Sequence, residues 1–241
     1  MDAMSRGDFK LHRHAVRTDM EETKLVETRA KGVFWDGERL LTRNSAPGSR
    51  VYGERLLAFQ GVEYREWSPG RSKLGAYLRL GGLASPIKED SRVLYLGAAS
   101  GTTASHVADI ASKGTVYCVE ISPRSFRDLV KVCEARKNMV PILADATKPQ
   151  EFSFLVERAD IIYQDIAQKN QASIFAKAVS TFGARDGMLS LKARSEDVTR
   201  EPRDVFEEAR SFLQKAGLRV LDLMDLEPFE KDHAMIVVGC E

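Results

Sequence analysis

Val93-Leu94-Tyr95-Leu96-Gly97-Ala98-Ala99-Ser100-Gly101-Thr102-Thr103 joins an uninterrupted apolar run to a loop of small residues. An apolar tetrad that ends in glycine reads as a parallel strand buried on both faces. The small residues after it let the backbone come close to a ligand. Thr102 or Thr103 can cap the helix that follows, whose first amides then face that ligand. Such a strand–loop–helix unit also serves NAD or FAD, or closes as a tight turn with no ligand.

Outward from this unit the chain alternates. Lys73 to Leu83 carries Leu74, Tyr77, Leu78 and Leu80 at helical spacing. After the loop, Thr103 to Ser112 reads as helix, Thr115 to Val119 as strand and Ser125 to Lys137 as an amphipathic helix. Val140 to Leu143 and Asp160 to Tyr163 are further strands, and Gln171 to Phe182 is a helix. Gly187 to Leu191, Pro202 to Ala216, Leu218 to Leu223 and Ala234 to Cys240 complete the series as strand, helix, strand, strand. Strict alternation predicts a doubly wound α/β sheet. The segment Asp225 to Asp232 is too short for a crossover helix, so the last two strands must be antiparallel. A parallel sheet with a terminal antiparallel hairpin is the Rossmann-like architecture of class I methyltransferases. Residues 1–60 differ: Gly32-Val33-Phe34-Trp35, a hairpin turn at Asp36-Gly37, and Leu40-Leu41-Thr42 predict a small antiparallel β module with its own core. The division expected is therefore 1–60 and 61–241.

In such sheets ligands sit beyond the carboxyl ends of the strands, where strand order reverses. Polar residues stand at those ends here. Val119-Glu120 follows the glycine loop by about 20 residues, where a carboxylate accepts from ribose hydroxyls. Ala144-Asp145-Ala146-Thr147 ends the third strand, and Gln164-Asp165-Ile166-Ala167-Gln168 the fourth. An NAD enzyme needs the first two features and not the others. The set points to an adenosyl cofactor whose sulfonium faces Asp165.

Methylating a ribose hydroxyl requires in-line approach and a base, and a lysine in its neutral form can be that base. Lys192 follows the fifth strand directly, beside Asp165, while Lys73 and His233 are placed to shape its charge balance. His12, His14 and His106 have no such context and are expected to be structural or solvated.

At this point the sequence closely resembles the fibrillarin family, its archaeal members in particular. The matching runs are RSKL from Arg71, GAASGTTASHVADI from Gly97, Val119-Glu120, LADATKP from Leu143, QDIAQKNQA from Gln164, LKARSEDVTREP from Leu191 and DLEPFEKDHAMIVV from Asp225. The resemblance implies S-adenosylmethionine-dependent 2′-O-methylation of ribose in rRNA and tRNA, as the catalytic subunit of a box C/D guide ribonucleoprotein. It implies a Nop5/Nop56/58-type scaffold and an L7Ae-type protein as partners, with guide RNA choosing the target. Carried onto this chain, the cofactor contacts are Thr102, Thr103, Glu120, Asp145, Ala146, Asp165 and Gln168. Gly97, Ala99, Ile121, Ile166 and Ala167 complete the lining. The family's Lys-Asp-Lys-His set falls on Lys73, Asp165, Lys192 and His233. The Gly/Arg-rich extension of eukaryotic members is absent, so a cytoplasmic protein is expected.

Composition sets limits on partners. The formal net charge is only +1. Gripping RNA alone usually needs a basic surplus, because affinity comes from counterion release at phosphates. Either basic residues concentrate on one face, with Arg65, Arg71, Lys169, Arg194 and Arg200 as candidates, or a partner carries most of the binding. Cys118, Cys133 and Cys240 are widely spaced and form no Cys/His cluster, so neither disulfides nor a metal site is expected. Met1 to Lys10 is polar and does not read as a signal peptide, and no apolar run nears the roughly 20 residues of a membrane span. The alternatives are a methyltransferase of other specificity and an assembly subunit without turnover. Against base methylation, Gln164-Asp165-Ile166-Ala167 stands where an Asn/Asp-Pro-Pro-aromatic motif would be.

Overall fold

Apolar alternation and turn residues sort the chain into two sheets. The computed structural model describes residues 24–82 and 85–239; His12, His14, Cys240 and the Met1 to Lys10 segment lie outside them. The first sheet is antiparallel: β1 (Val26–Glu27), β2 (Val33–Trp35), β3 (Leu40–Arg43), β4 (Leu56–Phe59) and β5 (Val62–Glu66), in the order β1-β2-β3-β5-β4. The expected hairpin forms at Asp36-Gly37, where the Asp36 carboxylate accepts from the amides of Glu38 (2.9 Å) and Arg39 (2.7 Å). The boundary expected at residue 60 falls inside the β4–β5 hairpin, and the sheet continues to Glu66.

The second sheet contains β6 (Arg92–Leu96), β7 (Thr115–Glu120), β8 (Met139–Leu143), β9 (Ile161–Gln164), β10 (Asp186–Lys192), β11 (Arg219–Asp225) and β12 (His233–Gly239). Its order is β11-β12-β10-β9-β6-β7-β8, with β12 antiparallel to both neighbours. The order reverses between β6 and β9, so their carboxyl ends open a crevice. The helices are α1 (Lys73–Arg79), α2 (Thr102–Ile110), α3 (Pro123–Glu134), α4 (Gln171–Phe182), α5 (Ala193–Glu196) and α6 (Pro202–Lys215). α1 starts at Ser72, whose Oγ accepts from the Gly75 amide at 3.1 Å. It stops at Arg79 instead of reaching Leu83, because Gly81-Gly82 is a poor helix continuation. α5 is a short helix that hydrophobic periodicity did not reveal.

Successive residues of β6 divide between two cores, as the period of a strand demands. Val93 and Tyr95 pack with Leu74, Tyr77, Val107 and Leu129 of α1, α2 and α3. Leu94 and Leu96 pack with Phe175, Phe206 and Leu213 of α4 and α6. The small sheet does not keep a core to itself, contrary to expectation. Val33, Leu40 and Trp67 join the same apolar cluster as Tyr95 and Val107. A five-stranded sheet this short has too little inner face to close alone, and α2 supplies the missing wall.

Candidate active site

The loop after β6 turns on glycines that nothing larger could replace. Gly97 has φ 84°, and a Cβ there would stand 2.3 Å from the Asp165 carbonyl oxygen. Gly101 takes the N-cap of α2 at φ 89° with no side-chain cap, so the expectation that Thr102 or Thr103 caps this helix is corrected. The carboxylate at the end of β7 clips this loop. Glu120 Oε2 accepts from the Ala99 amide at 2.8 Å, and Oε1 from the Ser122 amide at 2.7 Å. At the end of β8, Asp145 Oδ1 accepts from the amide (2.9 Å) and hydroxyl (2.8 Å) of Thr147. The Thr147 amide is the main reason the Asp145 carboxyl lies below its ordinary pKa. Its Oδ2 has no protein hydrogen bond among the described residues.

These ends surround a cleft of about 240 Å³ lined by Gly97, Ala99, Val119, Glu120, Ile121, Ala144, Asp145, Ala146, Asp165, Ile166, Ala167 and Gln168. Val119 and Ala144 were missed in the sequence, although each directly precedes a carboxylate that marks its strand end. Thr102 and Thr103 were expected here and line no part of this cleft. Thr103 is buried, and its hydroxyl donates to Ser72 Oγ at 3.0 Å, tying the start of α2 to the start of α1. A larger cavity of about 800 Å³ lies at the opposite end of the strands. Its charges have both signs and include the Lys113–Glu89 pair at 2.9 Å, so the chemistry belongs to the smaller cleft.

Lys73, the first residue of α1, places its Nζ 3.2 Å from Asp165 Oδ2, and both side chains remain partly exposed. Lys192 ends β10 directly opposite His233, the first residue of β12. His233 Nδ1 donates to the Lys231 carbonyl at 2.7 Å, and among the described residues Nε2 has no hydrogen-bond partner. Gln171, missed in the sequence reading, holds this corner. Its Oε1 accepts from the Lys192 amide and its Nε2 donates to the Lys192 carbonyl, both at 3.0 Å. Gln164 Nε2 donates to the Gln171 carbonyl at 2.8 Å, so β9 and β10 end in one hydrogen-bonded unit. Below Asp165 the rings of Tyr95 and Tyr163 lie 4.5 Å apart, and burial pushes both hydroxyls far above their ordinary pKa.

The basic candidates divide. Arg65 is completely buried, bonded to Glu54 at 2.7 Å and Asp109 at 2.8 Å, and is withdrawn as an RNA contact. A charge enters a core only with such partners. Arg194 is committed to Asp232 at 3.1 Å, and Arg200 pairs with Glu208. Lys169 is exposed, and Arg71 lies over the Tyr52 ring at 5.8 Å. His106 is structural, as expected: it stacks on Trp67 at 4.7 Å and hydrogen-bonds with Thr42 and Tyr52. Among the described residues no group of His, Cys, Asp and Glu could hold a metal ion.

A mostly parallel seven-stranded sheet with a terminal antiparallel hairpin, and a cleft rimmed by strand-end carboxylates, defines the class I methyltransferase fold. Within that class the chain belongs to the fibrillarin family, whose model, described as Fibrillarin, matches residues 25–241. It is 48% identical over 207 residues to the fibrillarin-like rRNA/tRNA 2′-O-methyltransferase of Methanococcus maripaludis strain C5, covering 85% of this chain and 90% of that protein. The crystal structure of Aeropyrum pernix fibrillarin with natively bound S-adenosyl-L-methionine is 44% identical, with a TM-score of 0.81 over 89% of this chain and 97% of that one. A fibrillarin/Nop5p complex is 40% identical, with a TM-score of 0.79 over 90% of this chain and 100% of that one.

Proposed function

We propose that this chain is an S-adenosylmethionine-dependent RNA 2′-O-ribose methyltransferase, acting on rRNA and tRNA as the catalytic subunit of a box C/D guide ribonucleoprotein. The observation that carries the reading is the Lys73–Asp165 pair on the cleft rim, with Lys192 and His233 facing each other at the neighbouring strand ends. The donor set fits the cofactor. Glu120 keeps lone pairs for ribose hydroxyls beyond the two amides it holds, and Asp145 Oδ2 is open to an adenine amino group. Gly97 and Ala99 keep the backbone side of the cleft low enough for a ligand to lie against it. When bound, S-adenosylmethionine supplies an electrophilic methyl group on a sulfonium.

The chain's own residues do the rest. Asp165 presents negative charge into the cleft, where a cationic group would be favoured, and Lys73 fixes its orientation. Lys192 Nζ, in its neutral form, takes the proton of the attacking 2′-hydroxyl. His233 Nε2 stands across the strand pair from Lys192 to hold or pass that proton.

The names of the relatives support this reading, as does the Nop5p complex of a close neighbour. We assign a Nop5-type scaffold, an L7Ae-type protein and guide RNA as partners, and a cytoplasmic location. A net charge of +1 fits a subunit whose RNA is gripped mainly by others. Among the described residues no helix is long and apolar enough to cross a membrane.

The test is transfer of labelled methyl to a guide-matched RNA, with and without scaffold, L7Ae-type protein and guide. The modified position is mapped afterwards. Methylation of one guide-specified ribose, only in the full mixture, is expected. Cofactor binding without transfer in any mixture would replace this reading with that of an assembly subunit.

A further inference from the structure

We propose that α5, the short helical turn after β10, is a clamp that fixes Lys192 and His233 relative to each other, with Glu196 and Arg194 as positioning residues for methyl transfer. The catalytic part of this inference rests on the function proposed above. β9 pairs with β10 only as far as Gln164 opposite Leu189, whereas β12 pairs with it as far as His233 opposite Lys192. The Lys192 backbone therefore has a strand on one side and none on the other. On the open side the Gln171 side chain takes the place of the missing strand. It accepts from the Lys192 amide and donates to the Lys192 carbonyl, both at 3.0 Å. A primary amide can do this because it carries an acceptor and a donor side by side, as the backbone does.

A side-chain amide can turn end for end, and Glu196 removes that freedom. Its Oε1 accepts from Gln171 Nε2 at 3.1 Å and from the Gln171 amide at 2.7 Å, and its Oε2 accepts from the Asn170 amide at 2.8 Å. An ionised carboxylate only accepts, so the NH2 end of Gln171 faces Glu196 and the oxygen end is left for the Lys192 N–H. Capping α4 takes only the two backbone amides; the third bond goes to the group that holds Lys192. The other jaw grips the residue before His233. Arg194 Nε donates to Asp232 Oδ2 at 3.1 Å, and the Ala193 amide donates to the Asp232 carbonyl at 3.0 Å. Asp232 has φ 57°, in the left-handed region that an aspartate enters at a cost, and both contacts hold it there. Arg194 Nη1 donates to the carbonyls of Val198 (2.9 Å) and Arg200 (3.2 Å), which fixes the guanidinium itself. The 4 residues of α5 thus carry one group that locks the end of β10 and one that locks the start of β12. A displacement of about 1 Å at a reacting group can cost roughly a hundredfold in rate, so the ends of two strands are where such locks matter most.

The experiment uses the full chain, free and in the assembled guide particle, and compares wild type with Glu196→Gln, Gln171→Leu and Arg194→Met. In the free chain, hydrogen exchange should quicken about tenfold at the Lys192 amide in Glu196→Gln and at the Ala193 amide in Arg194→Met. In the particle, single-turnover transfer at saturating RNA and S-adenosylmethionine should fall about ten- to a hundredfold in each variant, with Kd for both ligands unchanged. That split separates positioning from lost stability and from lost RNA contacts. Gln171→Leu leaves both backbone caps on α4 in place, so it reports on the Lys192 contact even where Glu196→Gln lowers the melting temperature. Gln171→Leu combined with Glu196→Gln should be no slower than the slower single variant, because the two groups act as one unit. Unchanged exchange at both amides would overturn the clamp. Faster exchange with wild-type transfer rates would overturn the positioning role and leave Glu196 as a cap of α4. Weaker RNA binding by Arg194→Met at an unchanged saturated rate would overturn it for Arg194, making that residue an RNA contact. If the wild-type particle transfers no methyl, the proposed function fails, while amide exchange still decides whether α5 clamps the strand ends.

Discussion

Glu120 serves two purposes with one carboxylate. It holds the Ala99 amide and the Ser122 amide, so the glycine loop and the β7–α3 turn are set before any ligand arrives. Glu120→Gln turns one of the two oxygens into a donor that faces a backbone N–H. Loss of a charged hydrogen bond of this kind costs about 1.5–3 kcal/mol, so Kd for S-adenosylmethionine should rise roughly ten- to a hundredfold, read by calorimetry. Lys192 should behave differently, because it lines no part of the cleft. Lys192→Ala is expected to slow single-turnover transfer in the assembled particle by about 10²–10⁴-fold with little change in cofactor affinity. Full transfer by that variant would remove Lys192 from the base role. Residues such as these were legible in the sequence because apolar runs fix strand ends, and the ends place Glu120, Asp145 and Asp165 at one edge. Arg65 was not legible. Its partner Asp109 lies 44 positions away, and nothing in Val62–Glu66 distinguishes a buried arginine from a solvated one.

At the scale of elements, α2 is the hinge between sequence and fold. Its helical character was read from Thr103 to Ser112, but its cap was not, since Gly101 rather than a threonine ends the loop. Its inner face carries His106 and Asp109 against the small sheet. Burial, reinforced by the Arg65 and Arg136 charges, holds the His106 pKa well below its ordinary value. The unfolded chain takes up a proton on this histidine near pH 6.5, while the folded chain does not. Stability should therefore fall as pH drops below about 6.5, by at most about 1.4 kcal/mol per pH unit for this proton. Glu54 acts lower on the scale. Burial alone would raise its pKa, but the Tyr52 and Val51 amides and the Arg65 guanidinium outweigh burial and hold it down. Its contribution is present above the unfolded carboxyl value of about 4.3 and is lost as pH falls through the lowered folded value. Urea unfolding between pH 7 and pH 5 checks the first phase. A His106→Gln chain should be less stable at pH 7 but show a flatter slope, and equal wild-type stability at pH 7 and 5 would contradict a neutral buried His106.

Across the whole molecule, the terminal antiparallel hairpin was readable from a connection too short to cross over, whereas the sharing of one core by two sheets was not. Alternation tells which side of a strand is apolar and is silent about what covers it. The covering here is mutual. Val33, Leu40 and Trp67 pack with Val107 and Ile110, and Thr42 and Tyr52 are the hydrogen-bond partners of the buried His106 ring. Asp109 likewise depends on the small sheet, accepting from Thr42, from the amide and hydroxyl of Ser45, and from Arg65. A fragment of residues 61–241 retains Arg65 but lacks Glu54, Thr42, Ser45 and Tyr52, and so leaves a buried cation, anion and imidazole short of partners. Each such loss costs about 1–3 kcal/mol or more against a total stability of only about 5–15 kcal/mol. The fragment should therefore lack a cooperative melting transition and bind S-adenosylmethionine far more weakly than the full chain, which should melt in a single step. Calorimetry on both distinguishes the cases. A sharp transition and full cofactor affinity in the fragment would mean that the small sheet is an independent unit, and that α2 needs no wall beyond its own domain.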